Sequence, residues 1–270
     1  MNAPVEIVHV YAAAGVKKTQ MSAGKTVLLA MMAGAFIALA GVGATIAAVS
    51  VPLPSVGKLV GACVFPAGLA MVLVAGSELF TGNNLLVLPL LRREITLGEM
   101  LRNWGLVYLG NLLGALLISV MVTYSGTFSL FDGGAAAAVV AAGKAKVSMT
   151  FVQAMLKGIL CNFLVCIAVW MAFAATSLNG KIAAVFFPVM LFVLCGFEHS
   201  VADMYYVPAA ILTAASYGLD GGMLGWDTFL LRCLLPVTLG NIIGGAGFVG
   251  TVYWAAYGKK RNDRVNRSSD

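Results

Sequence analysis

The chain has 270 residues, of which 60% are apolar and only 10% are charged, and its formal net charge is +6. Soluble domains carry about 25% charged residues and about 45–50% apolar ones. This composition excludes a soluble enzyme, a nucleic-acid-binding protein and a disordered chain, and it predicts a polytopic membrane protein.

Long segments with at most one charged residue predict six membrane crossings. A crossing needs about 20 apolar residues, and four segments supply them alone: residues 26–50, 104–124, 150–175 and 229–257. Two further crossings are each predicted from a pair of shorter segments, residues 59–77 with 79–91 and residues 182–197 with 204–219. We therefore predict an all-α membrane protein with six transmembrane helices, of which helices 2 and 5 are broken at the midplane.

The charges divide the chain into three parts. Residues 1–25 are predicted to form a cytoplasmic N-terminal tail, residues 26–257 a single transmembrane domain, and residues 258–270 a basic cytoplasmic C-terminal tail. Six crossings place both tails on one side, which then holds twelve lysines and arginines against three on the other side. Because these residues concentrate in cytoplasmic loops, both termini are predicted to be cytoplasmic. The first apolar run is too long for a secretory signal.

Two motifs recur in the two halves of this domain, which are residues 26–124 and 150–257. Leu109–Gly114 recurs as Leu239–Gly244, and Gly76–Glu78 recurs as Gly196–Glu198. Three crossings per half require the halves to insert in opposite orientations, which is an inverted repeat. Such repeats place a substrate site where the broken helices meet.

Each copy of the longer motif contains a pair of glycines four residues apart. Gly110 and Gly114, and likewise Gly240 and Gly244, allow two helices to approach closely. We expect them to pack crossing 3 against crossing 6 or against a neighbouring subunit. Asn111 and Asn241, in the same motif, are expected to satisfy backbone or neighbouring polar groups.

The predicted helix breaks contain ionisable residues, which are costly in a membrane and usually functional. Glu78 lies in the first break and Glu198 in the second, where His199 follows it. Histidine is the side chain that changes charge near neutral pH, so we expect His199 to act in transport. The alternative is a neutral histidine hydrogen-bonded to the backbone.

The two glutamates do not suit the path of an anion, because a carboxylate would repel it. We expect Glu78 and Glu198 to brace the broken loops by accepting backbone N–H bonds. The chain is predicted to restart at Thr81 and near Ser200, with these hydroxyls as N-caps. Each restart would point a positive helix N-terminus at the protein centre, which suits an anion.

The sequence gives no sign of a metal site, a cofactor or catalysis. The five cysteines lie in apolar runs without metal-ligand spacing, and the motifs of zinc and serine hydrolases are absent. We expect a chain that is not an enzyme and that holds neither a cofactor nor a metal.

Four segments in order resemble the formate/nitrite transporter family, and the resemblance covers roughly residues 20–257. They are Gly76–Gly82, Lys157–Cys166, Gly196–Met204 and Pro236–Asn241. The resemblance implies an aquaporin-like fold and a homopentamer with one pore per protomer in the lipid of a prokaryotic plasma membrane. It implies a channel for small monovalent anions, namely formate, nitrite or hydrosulfide, with formate slightly favoured.

The resemblance also assigns residues to the pore. His199 is similar to the family's central histidine, Thr81 to its hydrogen-bonding partner, Asn162 to a nearby polar group and Lys146 to a lysine of the outer vestibule. Four residues are similar to the apolar constrictions around the histidine: Phe65, Leu69, Leu79 and Phe192. Without the resemblance, the same residues fit ordinary core packing, a helix–helix hydrogen bond and a solvated lysine.

One residue departs from the family pattern, in which asparagine is usual at the position of Asp203. Four residues after His199, this carboxylate is expected to pair with the histidine or to face a loop amide. A proton passed to the anion near His199 would couple transport to protons. The alternative function is an aquaporin-type channel for small neutral solutes, although the Asn-Pro-Ala motifs of such channels are missing.

Overall fold

A computed structural model describes residues 1–258, and this part of the chain is helical, without strands. The terminal residues 259–270, where most of the predicted basic tail falls, lie outside the described residues. The principal helices are α1 (Pro4–Thr19), α2 (Ala23–Ala48), α3 (Pro54–Ala75), α4 (Phe80–Leu91), α5 (Leu97–Tyr124), α6 (Gly134–Val147), α7 (Phe151–Ala174), α8 (Leu178–Cys195), α9 (Ser200–Tyr217) and α10 (Trp226–Gly258).

The prediction of an all-α protein with six membrane helices is confirmed. Within residues 1–258, six helices are long and apolar enough to cross a membrane, namely α2, α3, α5, α7, α8 and α10. Two of these helices, α5 and α7, begin after a threonine that caps them. The Thr96 and Thr150 hydroxyls accept hydrogen bonds from the backbone N–H groups of the third residues of α5 and α7. The protein is therefore a multi-pass membrane protein.

The two breaks lie between α3 and α4 and between α8 and α9. A glycine ends the helix before each break, Gly76 with φ +75° and Gly196 with φ +68°, in the left-handed region that glycine adopts without steric cost. The second break covers residues 196–199 and is shorter than predicted, because α9 begins at Ser200 and includes Asp203. Most of α9 is buried, and it contacts α2, α5 and α6.

Two helices appear outside the predicted crossings, one in the predicted N-terminal tail and one between crossings 3 and 4. The N-terminal helix α1 buries Ile7, Val8 and Tyr11 in a cluster with residues of α7 and α10. The expected polar tail is thus largely a folded part of the domain, because these apolar residues recur on one face of a helix. Helix α6, rich in alanine, connects α5 to α7 and carries Lys146.

The paired glycines pack crossing 3 against crossing 1 and crossing 6 against crossing 4, and not crossing 3 against crossing 6 as we expected of them. A Cβ atom added to Gly114 on α5 would lie 1.9 Å from the backbone oxygen of Met31 on α2. A Cβ atom on Gly244 of α10 would lie 2.2 Å from the backbone oxygen of Ile159 on α7. The backbones touch here because no side chain separates them, and the same contact is built in both halves.

The Gly114 contact predicts that one added methyl group destabilises the protein. We expect Gly114→Ala to lower the free energy of unfolding by about 1–3 kcal/mol, because the methyl group would force α5 away from α2. The apparent melting temperature and the yield of monodisperse protein in detergent measure the effect. Gly105→Ala is the control, since a Cβ atom there meets nothing within 4 Å. Equal losses in the two variants would contradict the prediction.

Candidate functional site at the two helix breaks

An asparagine from crossing 3 holds the backbone of the first break. The Asn111 amide donates to the backbone oxygens of Ala30 at 2.8 Å and Glu78 at 2.9 Å, and its Oδ1 accepts from the Phe80 N–H at 2.9 Å. Phe80 is the first residue of α4, so the side chain supplies a partner that the helix end lacks. The break therefore needs no water to satisfy these groups.

The equivalent asparagine of crossing 6 holds the second break in the same way. The Asn241 amide donates to the backbone oxygens of Gly158 at 2.9 Å and Glu198 at 3.0 Å, and its Oδ1 accepts from the Ser200 N–H at 2.9 Å. Ser200 is the first residue of α9. The repeated motif thus forms the same three hydrogen bonds in both halves, two to the break and one to a neighbouring crossing.

The two glutamates bond to side chains and not to the backbone N–H groups that we expected. Glu78 accepts from the Lys18 ammonium and from the Asn83 amide, each at 2.7 Å. Glu198 accepts from the Lys146 ammonium. The backbone N–H groups at the helix starts are already taken by the asparagines, which leaves the carboxylates to the lysines.

Asp203 does not pair with His199, contrary to our expectation. Its Oδ1 lies 2.6 Å from the Nζ atom of Lys146. The same Nζ atom contacts Glu198 and lies 5.0 Å from the centre of the Tyr206 ring. The Lys146 side chain is only 15% exposed, so the expected vestibule lysine is held in a buried cluster with two carboxyl groups.

His199 is the N-cap of α9, where we had expected the Ser200 hydroxyl to take that role. Its Nδ1 accepts from the backbone N–H of Ala202 at 3.1 Å, and its Nε2 lies 2.8 Å from the hydroxyl oxygen of Thr81. Because Nδ1 accepts, a neutral ring carries its proton on Nε2 and donates it to the Thr81 hydroxyl oxygen. The hydroxyl hydrogen of Thr81 can then point to another acceptor. Thr81 itself lies within α4 and is not a cap.

Asn162 connects the two breaks from α7. Its amide donates to the Asn84 side-chain oxygen at 2.7 Å, to the Asn241 backbone oxygen at 2.7 Å and to the Thr81 backbone oxygen at 3.3 Å. Its Oδ1 is buried and has no hydrogen-bond partner within residues 1–258. Asn162 is therefore close to Thr81, as the resemblance implies, but it stands behind the backbone of the break.

Two large cavities reach the breaks from opposite sides. The first, of about 510 Å³, is named the N-terminal cavity, and its lining includes Tyr11, Lys18, Leu69, Glu78 and Leu79. The second, of about 360 Å³, is named the Lys146 cavity, and its lining includes Lys58, Phe65, Lys146, Lys157, Phe192 and His199.

A small apolar chamber of about 10 Å³ lies between the two cavities and is lined by Ile37, Phe65, Leu69, Leu79, Val165, Val189, Phe192 and His199. Leu69 and Leu79 also line the N-terminal cavity, so they separate it from the chamber. The rings of Phe65 and Phe192, 5.8 Å apart, separate the chamber from the Lys146 cavity. The structure thus gathers the four expected constriction residues around the histidine, which stacks on Phe192 with 5.9 Å between ring centres.

Two site residues were missed by sequence reasoning, Lys18 and Asn83. Asn83 follows Glu78 by five residues, as Asp203 follows Glu198, so the internal repeat contained a signal for it. Lys18 contacts both Glu78 and Asn83. It had no such signal, because it comes from the predicted tail, whose helix folds back onto the first break.

Six crossings, two braced helix breaks and a cavity on each side of an apolar chamber define a membrane transport protein. The family model described as formate/nitrite transporter matches residues 5–255. The chain belongs to this family.

Relatives of known name agree with the family. The formate channel FocA of Escherichia coli (strain K12) is 38% identical over 268 residues, which cover 94% of each chain. A probable formate transporter of Methanothermobacter thermautotrophicus is 38% identical and covers 90% of this chain and 92% of its own. A solved structure of a pentameric formate channel with formate bound is 37% identical, with a TM-score of 0.78 over 88% of this chain and 98% of that chain.

The bracing role of Asn241 predicts a large loss of stability when its side chain is removed. Asn241→Ala removes the side chain that bonds to the Glu198 oxygen and to the Ser200 N–H in the break, so we expect the free energy of unfolding to fall by about 2–5 kcal/mol. Thermal unfolding in detergent measures the loss. Asn179→Ala, at an exposed position near the start of α8, is the control. A melting temperature of Asn241→Ala equal to that of the control would contradict the role.

Proposed function

We propose that the protein is a channel for small monovalent anions, with formate as its first substrate, in the plasma membrane of a prokaryote with both termini in the cytoplasm. The observation that carries the proposal is the Thr81–His199 hydrogen bond beside a chamber with apolar walls. Relatives named as formate channels support formate over nitrite and hydrosulfide.

The chamber favours a small solute that accepts hydrogen bonds. Its volume of about 10 Å³ is close to the space that a single water molecule requires, about 10–15 Å³. An anion entering it loses most of its water, which is costly unless donors replace part of the hydration. The Thr81 hydroxyl can supply such a donor, since its oxygen already accepts from His199.

The Lys146 cavity attracts anions, although Lys146 contributes less to that attraction than we expected. The charge of Lys146 is matched by Glu198 and Asp203. Lys58 and Lys157 line the same cavity and bring positive charge to it. A positive vestibule raises the local concentration of anions, and a channel for neutral solutes would gain nothing from it.

A proton accompanies the anion in this mechanism. If the anion takes up a proton in the chamber, it crosses the apolar side chains of Leu69 and Leu79 as a neutral acid, which avoids the cost of burying a charge. The His199 ring keeps its cap on α9 only while Nδ1 is unprotonated. We therefore assign the ring the role of a hydrogen-bond donor at Nε2.

The protomers assemble into a homopentamer with one pore each. The solved structure of a pentameric formate channel, to which the chain is similar, supports the pentamer. Many large apolar side chains are exposed on the isolated protomer, among them Leu28, Leu117, Phe163 and Phe187. Exposed apolar surface of this extent is expected where a protein faces lipid or neighbouring subunits.

The proposed function predicts formate flux through the purified protein in liposomes. We expect formate to enter at least roughly tenfold faster than in empty liposomes, while glycerol enters no faster, as measured by stopped-flow light scattering. Leu79→Trp should abolish the formate flux because the indole fills the chamber. Leu130→Trp, in the loop between α5 and α6 and exposed, is the matched control.

Faster flux of glycerol than of formate would overturn the proposal in favour of a neutral-solute channel. Formate flux that is unchanged in Leu79→Trp would mean that formate does not pass through the chamber. In the same liposomes, His199→Asn tests the hydrogen bond that the ring donates at Nε2. A formate flux equal to that of the wild type would exclude a direct part for the ring.

A further inference from the structure

The two halves of the protein build the same three-residue cluster, with one difference in charge. In the N-terminal cavity, Lys18 contacts the Glu78 carboxylate at 2.7 Å and the Asn83 side-chain oxygen at 3.0 Å. Asn83 also donates to the second oxygen of Glu78 at 2.7 Å. One carboxylate therefore faces one ammonium group, and the cluster is neutral.

The corresponding cluster beside the Lys146 cavity has a second carboxyl group in place of the amide. Lys146 contacts Glu198 and the Oδ1 atom of Asp203, and Asp203 follows Glu198 by the same five residues that separate Asn83 from Glu78. Two carboxyl groups here share one ammonium group. If both were ionised, this buried cluster would carry a net charge of −1.

The two clusters differ in their hydrogen bonds at the second carboxyl oxygen of Asp203. Asp203 is fully buried, and its Oδ2 has no hydrogen-bond partner within residues 1–258. The carboxyl groups of Glu198 and Asp203 both contact the Nζ atom of Lys146, so they lie close to each other. In the other cluster, Asn83 donates an N–H to the second oxygen of Glu78. An aspartate can make the same contact with Glu198 only when a proton lies between the two carboxyl groups.

Within residues 1–258, Asp203 has one ion-pair partner, Lys146. The titratable groups around Asp203 are Lys146 on α6, Cys161 on α7, Tyr108 on α5, Cys233 on α10, and His199, Glu198 and Tyr206 on the second break and α9. Lys157 acts on Glu198, which has 9% side-chain exposure and lines the cavity. The proton therefore belongs on Asp203, the deeper of the two carboxyl groups.

We propose that Glu198 and Asp203 form a proton-sharing carboxyl pair that binds one proton from the Lys146 cavity and that slows anion entry when it releases this proton. Release breaks the O–H bond of Asp203 and passes the proton by way of Glu198 to water in the cavity, without any electron transfer. The cluster charge changes from 0 to −1. Anion entry is then favoured at lower pH and opposed at higher pH. The effect on entry rests on the proposed anion channel, whereas proton binding does not.

The flux test uses Asp203→Asn, which copies the neutral cluster of the first half. We expect the ratio of variant to wild-type formate flux to rise roughly tenfold between about pH 6 and about pH 9, because only the wild type gains a negative charge beside the path. Using the ratio removes the pH dependence of formic acid itself. A ratio that stays constant over this range would overturn the effect on anion entry.

Asp220→Asn is the matched control, because it removes the same charge from the same side of the protein. Asp220 is exposed and pairs at 2.8 Å with Lys144, which lies on α6 as Lys146 does. The hydrogen bond from Lys144 holds the pKa of Asp220 below its ordinary value, so this carboxylate stays ionised throughout the pH range. We expect its flux profile to match that of the wild type, and a profile like that of Asp203→Asn would contradict the proposal.

A second measurement tests proton binding without any transport. Infrared difference spectra of purified protein should show the C=O band of a protonated carboxyl group at neutral pH, and the band should disappear at alkaline pH. The band should shift when aspartate is labelled with carbon-13 in the side-chain carboxyl group, and it should persist in Asp220→Asn. If Asp203→Asn folds poorly, the shift of the C=O band in the carbon-13-labelled wild type still tests the proposal. Absence of the band would overturn the proposal even if formate flux is confirmed.

Discussion

A helix that breaks inside an apolar bundle must find partners for the backbone groups that the break exposes, since lipid offers none. Asn111 and Asn241 meet this requirement, each with two hydrogen bonds to the backbone of a break and a third to a neighbouring helix. The glycine contacts of α5 with α2 and of α10 with α7 bring these asparagines within reach. This bracing holds the backbone beside Thr81 and His199.

The bracing leaves other side chains of the breaks free to form different contacts. Because asparagines hold the helix starts, the glutamates are left to pair with lysines and the His199 ring is left to cap α9. The cap fixes Nδ1 as an acceptor and turns Nε2 toward Thr81. The same side chain thus stabilises a helix end and sets the direction of the hydrogen bond beside the chamber. Structure and proposed transport depend on one protonation state of this ring.

The crossings and the breaks could be predicted from the sequence, because charge-free length, helix-ending glycines and an internal repeat are local signals. The side-chain contacts in the breaks could not be predicted from the sequence. A glutamate accepts from a backbone N–H or from a lysine, and only the packing of α6 and α1 brings Lys146 and Lys18 to the carboxylates. The N-terminal helix was missed since its apolar face is short and lies beside charged residues. The paired glycines indicated close packing, but spacing alone does not identify the partner helix.

Determining which nitrogen of the His199 ring carries the proton is the most direct test of the structure and the proposed transport, because both the cap on α9 and the hydrogen bond to Thr81 depend on it. Nitrogen-15 solid-state NMR of histidine-labelled protein in lipid resolves the two ring nitrogens. His9→Gln leaves one histidine, and His9 is exposed and distant from the chamber, beside Arg92. We predict a neutral ring at neutral pH, with the proton on Nε2 and none on Nδ1. A ring protonated at Nδ1, alone or together with Nε2, would contradict it.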